Sequence, residues 1–323
     1  MRANAKHVPV DQLRMISRVA GMYYRERLGQ REIARQLSLS QAGVSRMLKQ
    51  GEELGIVRIS INTPEGIFSE LERALEKKFG VREVVVADFG ADDKGSVFKA
   101  LGEAAAAWLD SHIGAHEVVG VSSWSETLYA TVDAMRGPVS GKTSHIVQLL
   151  GGLGVSSSVS FATQLTESMA RVTGAQGVFL MLPGICESEE ARNVLLEDVT
   201  CRGVFSLYEK ISMLLVGIGS LTPSRHLRES QNEANSTDIE ELRSLGAVGD
   251  ICLRYFDAEG CMVDSKFDRR VIGISPERIR KIDNTVVVGG GLQKLEAIRA
   301  AMRGGWISVL ITDSTVASKL AVG

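Results

Sequence analysis

The 323-residue sequence has only four cysteines, Cys186, Cys201, Cys252 and Cys261, with no C-x-x-C pair and no histidine nearby at zinc-ligand spacing. Disulfide frameworks belong to small secreted scaffolds and thiolate metal sites need such spacing, so the four read as free thiols and no metal is expected. No apolar run approaches the roughly 20 residues of a membrane span. The longest, around Leu214 to Ile218 and Val178 to Leu182, have the length of core strands. The opening MRANAKHVPVDQLR carries no apolar stretch of a secretory signal. A soluble, cytoplasmic protein without a membrane partner is expected. Catalytic signatures are missing as well: there is no G-x-S-x-G, no H-E-x-x-H and no dinucleotide fingerprint with its following acid. The five histidines, His7, His112, His116, His145 and His226, do not gather at strand ends. Ser122 or Ser123 would need a base that nothing in the sequence supplies. No catalytic residue and no cofactor is expected.

What is present is ordinary globular material, 44% apolar and 24% charged, which excludes a wholly disordered chain. A chain of 323 residues against domains of roughly 100–200 predicts two domains. The net charge of −2 conceals a division: residues 1–60 hold 11 Lys/Arg against 5 Asp/Glu, and the remainder holds 26 against 34. A basic segment joined to an acidic body suits a small nucleic-acid-binding module on a larger domain, although a merely solvated basic face has the same charge.

The local pattern decides between the two. Leu13, Ile16, Val19, Ala20, Tyr23 and Tyr24 recur at helical spacing, and Ile33, Ala34 and Leu37 mark a short second helix. Ser40 has the chemistry of an N-cap for a third, with Val44, Met47 and Leu48 inward. Two short helices about a turn near Leu37 to Ser40, with the small Ala34 allowing close approach, make a helix-turn-helix. Gln41, Ala42, Ser45, Arg46 and Lys49 face outward on the recognition helix, with Arg31 on the helix before it. Gln41 can pair bidentately with adenine and Arg46 with guanine, while Ser45 and Lys49 can reach base edges or phosphates. Beyond it, Val57, Ile59 and Ile61 alternate with Arg58, Ser60 and Asn62 until Pro64-Glu65-Gly66, the period of a wing strand. Ile67, Leu71, Leu75 and Phe79 predict an amphipathic linker helix. It can pack on the body or on its copy in a second subunit; the second is preferred, because helix-turn-helix proteins commonly bind as dimers. The expected division is 1–62 for DNA binding, 63–80 for the linker helix and 81–323 for the body.

From Val84 onward, short β-branched runs lead into Gly, Ser or Asp and then into helical stretches. The runs are VVVADF, EVVGVSS, IVQLLGGLG, MLLVGIGS, TVVVGGG and SVLITDS. Such runs read as strands buried on both faces, so the body is an α/β, Rossmann-like parallel sheet. Glycine numbers 33, about 10% of the chain against a usual ~7%, and much of it falls at these strand ends, where ligands bind. Three places carry more. Ser122-Ser123-Trp124-Ser125-Glu126-Thr127 enters a helix and offers hydroxyls and backbone N–H groups to an anion, or serves only as a cap. GGGLQK puts Lys294 after three glycines, to neutralise a phosphate or to stand in solvent. GAVGDI sets Asp250 beside a turn, to hold sugar hydroxyls or to cap that turn.

With both halves in view the chain resembles the SorC/DeoR-type family of sugar-responsive bacterial transcription regulators. The likeness rests on REIARQLSLSQAGVSRMLKQGEELGIV, SSWSETL, QLLGGLG, LLVGIGSL, GAVGDICLRYFDAEG and VVVGGGLQKLEAIRAAMRGGWISVLITDSTVA. The resemblance implies an effector domain of the ribose-5-phosphate isomerase and glucosamine-6-phosphate deaminase fold, taking a phosphorylated sugar or polyol. It implies operator DNA as a partner, control of a sugar or polyol catabolic operon, and self-association into dimers or tetramers. Carried over by motif, Ser123, Ser125, Glu126 and Thr127 fall on the phosphate-side loop, Lys294 on the phosphate-binding lysine, Gly151 and Gly152 on a glycine tip, and Asp250 opposite the sugar. The family pattern has Gly after the loop Trp; Ser125 stands there instead, narrowing the cradle or adding a hydroxyl. An isomerase or deaminase with a DNA-binding arm is the alternative, but the acidic catalytic cluster such enzymes need is not found.

Overall fold

The helical spacing of Ile16, Val19 and Ala20 folds as expected in α1 (Val10–Ala20), which continues through a wider π-helical turn over Gly21–Arg25 that buries Met22. The fold is described here from a computed structural model, covering residues 8–57, 66–88, 94–136, 141, 143–152, 159–223, 227–228 and 233–322. The chain divides into two compact units, Met1–Thr63 and Pro64–Gly323. In the first, α2 (Gln30–Gln36) buries Ile33 and Ala34, and α3 (Gln41–Glu53) buries Val44, Leu48 and Gly51. Ser40 caps α3 as its chemistry predicts, its Oγ accepting from the Gly43 amide at 3.0 Å. Ser38, in the turn between the helices, takes a left-handed φ of 54°. Val19, Met22, Ile33, Ala34, Val44 and Leu48 form one small core that fixes α2 against α3. The wing strand expected over Val57 to Asn62 lies, apart from Val57, outside the described residues.

The second unit begins with α4 (Ser69–Phe79). Its apolar face turns to the body of its own chain, correcting the preference for a partner copy: Leu75 is wholly buried, with Leu71 and Phe79 packed around the same core. The reason lies at the sheet edge. Strand β1 (Glu83–Ala87) is an outer strand, and unpaired edge N–H groups need acceptors. Glu72 and Glu76, one helical turn apart, accept from the Val86 and Val84 amides at 2.9 and 3.1 Å. Residues i and i+4 on a helix thus meet residues i and i+2 on a strand.

The alternation then runs α5 (Lys94–His112), β2 (Val118–Val121), α6 (Glu126–Ala134), β3 (His145–Gln148), α7 (Val159–Thr173), β4 (Gln176–Val178), α8 (Glu189–Glu197), α9 (Val199–Tyr208) and β5 (Met213–Gly217). After α10 (Ser236–Ser244) come the hairpin strands β6 (Gly249–Ile251) and β7 (Arg254–Phe256), then α11 (Pro276–Arg280), β8 (Thr285–Val288), α12 (Leu295–Arg303), β9 (Val309–Asp313) and α13 (Ser314–Val322). Seven strands form one sheet in the order β1-β9-β8-β5-β2-β3-β4, every pair parallel. Val119, Leu215, Val286 and Ile311 face one core, and Val118, Leu214, Val287 and Leu310 the other. Burial on both faces is why each strand reads as an unbroken apolar run.

The order also locates a functional edge. From β2 the chain steps outward to β3 and β4, whereas from β5 it steps the other way to β8 and β9. Adjacent strands β2 and β5 therefore flank a topological switch point, where the following loops diverge and leave a crevice beyond the carboxyl ends.

Candidate functional site

A cavity of about 760 Å³ opens at that crevice. Its walls are the turn after β2 (Ser122 to Thr127), the segment after β5 (Gly217 to Pro223), Asp250 on β6, and Lys294 at the end of the glycine loop after β8. Ser122 and Lys294 lie 172 positions apart in the sequence, and the parallel topology brings them together.

Each wall has a local cause. Trp124 adopts a left-handed φ of 57°, which bends the chain from β2 into α6. Ser125 caps that helix, its Oγ accepting from the Leu128 amide at 3.3 Å. Gly217 makes room for it: a Cβ there would lie 2.8 Å from the Ser125 Oγ. Ser122 ties the two strand ends together by accepting from the Gly217 amide at 3.2 Å. The hydroxyl at position 125, where the family pattern has glycine, thus supports the helix start and lines the cavity.

Asp250 reaches the site on the hairpin, which docks on the β5 end through Gly219 and Asp250 backbone bonds of 2.9 and 3.3 Å. A Cβ on Gly219 would fall 1.8 Å from an Asp250 carboxylate oxygen, so only glycine leaves that carboxylate its place. The other oxygen accepts from the Leu253 amide at 3.0 Å. Cys252 and Leu253 form the turn, both left-handed at φ 54° and 61°, a conformation that usually calls for Asn-Gly. The Asp250 bond helps to hold it.

Lys294 donates from Nζ to the Ile218 carbonyl. Burial lowers its affinity for a proton, and the charges of Asp250 and Glu126 work against that shift. Burial pushes the Asp250 carboxyl up to about 6, opposed by the Leu253 amide and the Lys294 charge. Lys294 and Arg228 line the cavity together with Asp250, Glu126 and serine and threonine hydroxyls, a set that can grip an anion and orient sugar hydroxyls. A test follows from the Asp250 shift. The folded chain ionises this carboxyl less readily than the unfolded chain, whose ordinary value is 3.8. Its contribution to stability is therefore full below about pH 4 and lost as pH rises through about 6. Between pH 4 and 7, wild type should lose roughly 2–2.5 kcal/mol relative to Asp250→Asn, read from urea midpoints, at ~1.4 kcal/mol per unit of pKa difference. Parallel pH curves would contradict the assignment.

Of the expected residues, Ser123, Ser125, Glu126, Thr127, Asp250 and Lys294 all line this cavity. Gly151 and Gly152 do not: that tip contributes Leu150 to the wall. Gly151 is instead a packing glycine, with a Cβ there only 2.2 Å from the Pro183 carbonyl oxygen. Gly219, Cys252, Leu253 and Gln293 line the cavity without having been singled out. Among them only Gly219, at the end of an apolar run, carried a signal. Among the described residues no cluster of three or more His, Cys, Asp or Glu could hold a metal.

On the first unit, Arg31, Gln41, Ala42, Ser45, Arg46 and Lys49 are all exposed. Arg31 Nε donates to Gln41 Oε1 at 3.4 Å, joining the starts of α2 and α3. Arg46 Nε donates to the Ala42 carbonyl at 3.3 Å, one turn back.

A helix-turn-helix unit followed in one chain by a doubly wound sheet with a polar switch-point cavity is the build of a ligand-responsive transcriptional regulator. Residues 66–321 match the family model described as "Putative sugar-binding domain". The chain is 27% identical to the sorbitol operon regulator of Klebsiella pneumoniae, over 96% of this chain and 98% of that one. It is 30% identical to the transcriptional regulator LsrR of Escherichia coli, over 94% and 93%. The crystal structure of the full-length Klebsiella pneumoniae regulator SorC superposes with a TM-score of 0.72 at 26% identity, covering 96% of this chain and 99% of that one. The chain belongs to the SorC/DeoR-type family of sugar-binding transcriptional regulators. It is a regulator of transcription and not an enzyme. Among the described residues no helix is long and apolar enough to cross a membrane.

Proposed function

We propose that the first unit binds operator DNA through α3 and that the switch-point cavity takes a phosphorylated sugar or polyol, whose binding changes DNA affinity at a catabolic operon. In this reading Lys294 and the amides at the start of α6 hold the phosphate, and Asp250 orients sugar hydroxyls. The observation that carries it is the convergence of Lys294, Asp250 and the Ser122–Thr127 turn on one cavity. The names of the sorbitol operon regulator and the deoxyribonucleoside regulator, both similar over nearly their whole length, support a sugar-derived ligand. Two copies present paired recognition helices to repeated half-sites, and the ligand acts by its differential affinity for two arrangements of those copies. Typical couplings of about 1–3 kcal/mol would suffice for regulation.

Calorimetry across hexose, pentose and hexitol phosphates, each beside its unphosphorylated form, tests the ligand class. At least one phosphorylated compound should bind about 100-fold more tightly than its neutral counterpart, as a half-buried lysine contact to an anion requires. Equal affinities throughout would overturn the phosphate assignment.

A further inference from the structure

Asp313 is absent from every reading of the site above, yet it is a firmly anchored carboxylate beside the Lys294 loop. It ends β9, is 1% exposed, and has both oxygens engaged. Oδ2 accepts from the Gly291 amide at 2.6 Å, and Oδ1 from the Val316 amide at 2.9 Å. The first bond fastens the glycine loop that delivers Lys294; the second caps the first turn of α13. The loop is shaped around this carboxylate. A Cβ on Gly290 would lie 2.3 Å from Asp313 Oδ2 and 2.9 Å from Leu101, so the carboxylate occupies the space a side chain would need. Gly291 turns at φ 86° and closes on Lys294 through a 2.9 Å backbone bond.

The far end of α13 is held just as specifically. Lys78 on α4 donates from Nζ to the Leu320 and Ala321 carbonyls at 2.9 and 3.2 Å, satisfying the last acceptors of the helix. Val316, Ala317 and Leu320 along α13 and Leu75 on α4 share one core. A continuous set of hydrogen-bonded and packed groups therefore runs from the Lys294 loop through Asp313 and α13 to Lys78. Helix α4 is also the first element of the larger unit after the DNA-binding unit in chain order.

We propose that Asp313 is the positioning residue for the Lys294 loop and that, through α13 and Lys78, it couples that loop to α4. The regulatory meaning of this coupling rests on the reading that ligand binds at Lys294, but the coupling itself does not. A ligand that shifts the Lys294 loop would alter the strain on α4, and by reciprocity a change at Lys78 must be felt in the loop.

Hydrogen exchange on the full-length, ligand-free protein tests this. Lys78→Met keeps the apolar stem and removes the ammonium. It should speed exchange in residues 289–294 about tenfold, the factor expected when one charge-assisted hydrogen bond is lost. Peptides from β2 and α7 should be unchanged. Asp313→Asn sets an amide against two backbone donors and should speed exchange in the loop, α13 and α4 together. Should Asp313→Asn fail to fold, Lys78→Met decides alone. Acceleration confined to α4 and α13, or spread evenly over the unit, would overturn the coupling. Because no ligand enters the experiment, failure of the phosphosugar reading would show in calorimetry and leave these rates untouched.

Discussion

Lys294→Met should weaken phosphosugar binding at least about 100-fold, while DNA affinity without ligand stays within about twofold. Lys294 feels the charges of Asp250 and Glu126 in the cavity all three line, so its loss removes a positive charge from the place the phosphate would take. Methionine preserves the stem, and the apolar packing should survive. The Asp250 carboxyl, which the lysine charge now holds down, should rise further. Calorimetry with the tightest phosphosugar checks the first statement and a duplex titration the second. A loss under threefold would remove Lys294 from the site.

Arg46→Ala should have the complementary effect. If Arg46 reads a guanine, duplex affinity falls by about 1–3 kcal/mol and specificity relaxes at one base pair. Ligand affinity should not change, because the described lining residues of the cavity belong to the second unit. Lys49→Ala should act differently, weakening all sequences alike and reducing the salt slope by about 1. Binding to a duplex selected from a random pool, measured at several salt concentrations, separates the two. Unchanged affinity and preference in Arg46→Ala would count against α3 as the reading helix.

How far the sequence revealed the fold depended on where each element is buried. Six of the seven sheet strands were legible because burial on both faces demands continuous β-branched runs. The run Val178 to Leu182, read as having strand length, meets strand β4 (Gln176–Val178) at the outer edge only in Val178, and residues 179–182 are not strand. The hairpin was hidden by its turn: Cys252 and Leu253 hold left-handed angles without the Asn or Gly that signals them, and tertiary bonds from Asp250 substitute for local propensity. The period of α4 was visible in Ile67, Leu71, Leu75 and Phe79, but its destination was not. Glu72 and Glu76 look like solvated charges until the β1 edge supplies their donors.

At the site, residues with distinctive chemistry were found and glycines were harder to rank. Gly151 stands at a strand end as a ligand-binding glycine would, yet it serves close packing against Pro183. Gly219, with the same appearance, makes way for the Asp250 carboxylate. The Asp313 carboxylate was passed over because an acid at the end of a strand reads as an ordinary helix cap. Its second oxygen, on the Gly291 amide, is visible only in three dimensions.

In the proposed reading, one unit senses an anionic sugar derivative and the other reports it through bound DNA. Titrating a selected duplex with the full-length protein, with and without saturating phosphosugar, tests this most directly. The midpoint should move by about five- to 150-fold in one direction, the range that couplings of this kind span. The same ligand should leave the midpoint of Lys294→Met in place. A duplex affinity indifferent to every phosphosugar that binds the cavity would contradict the account.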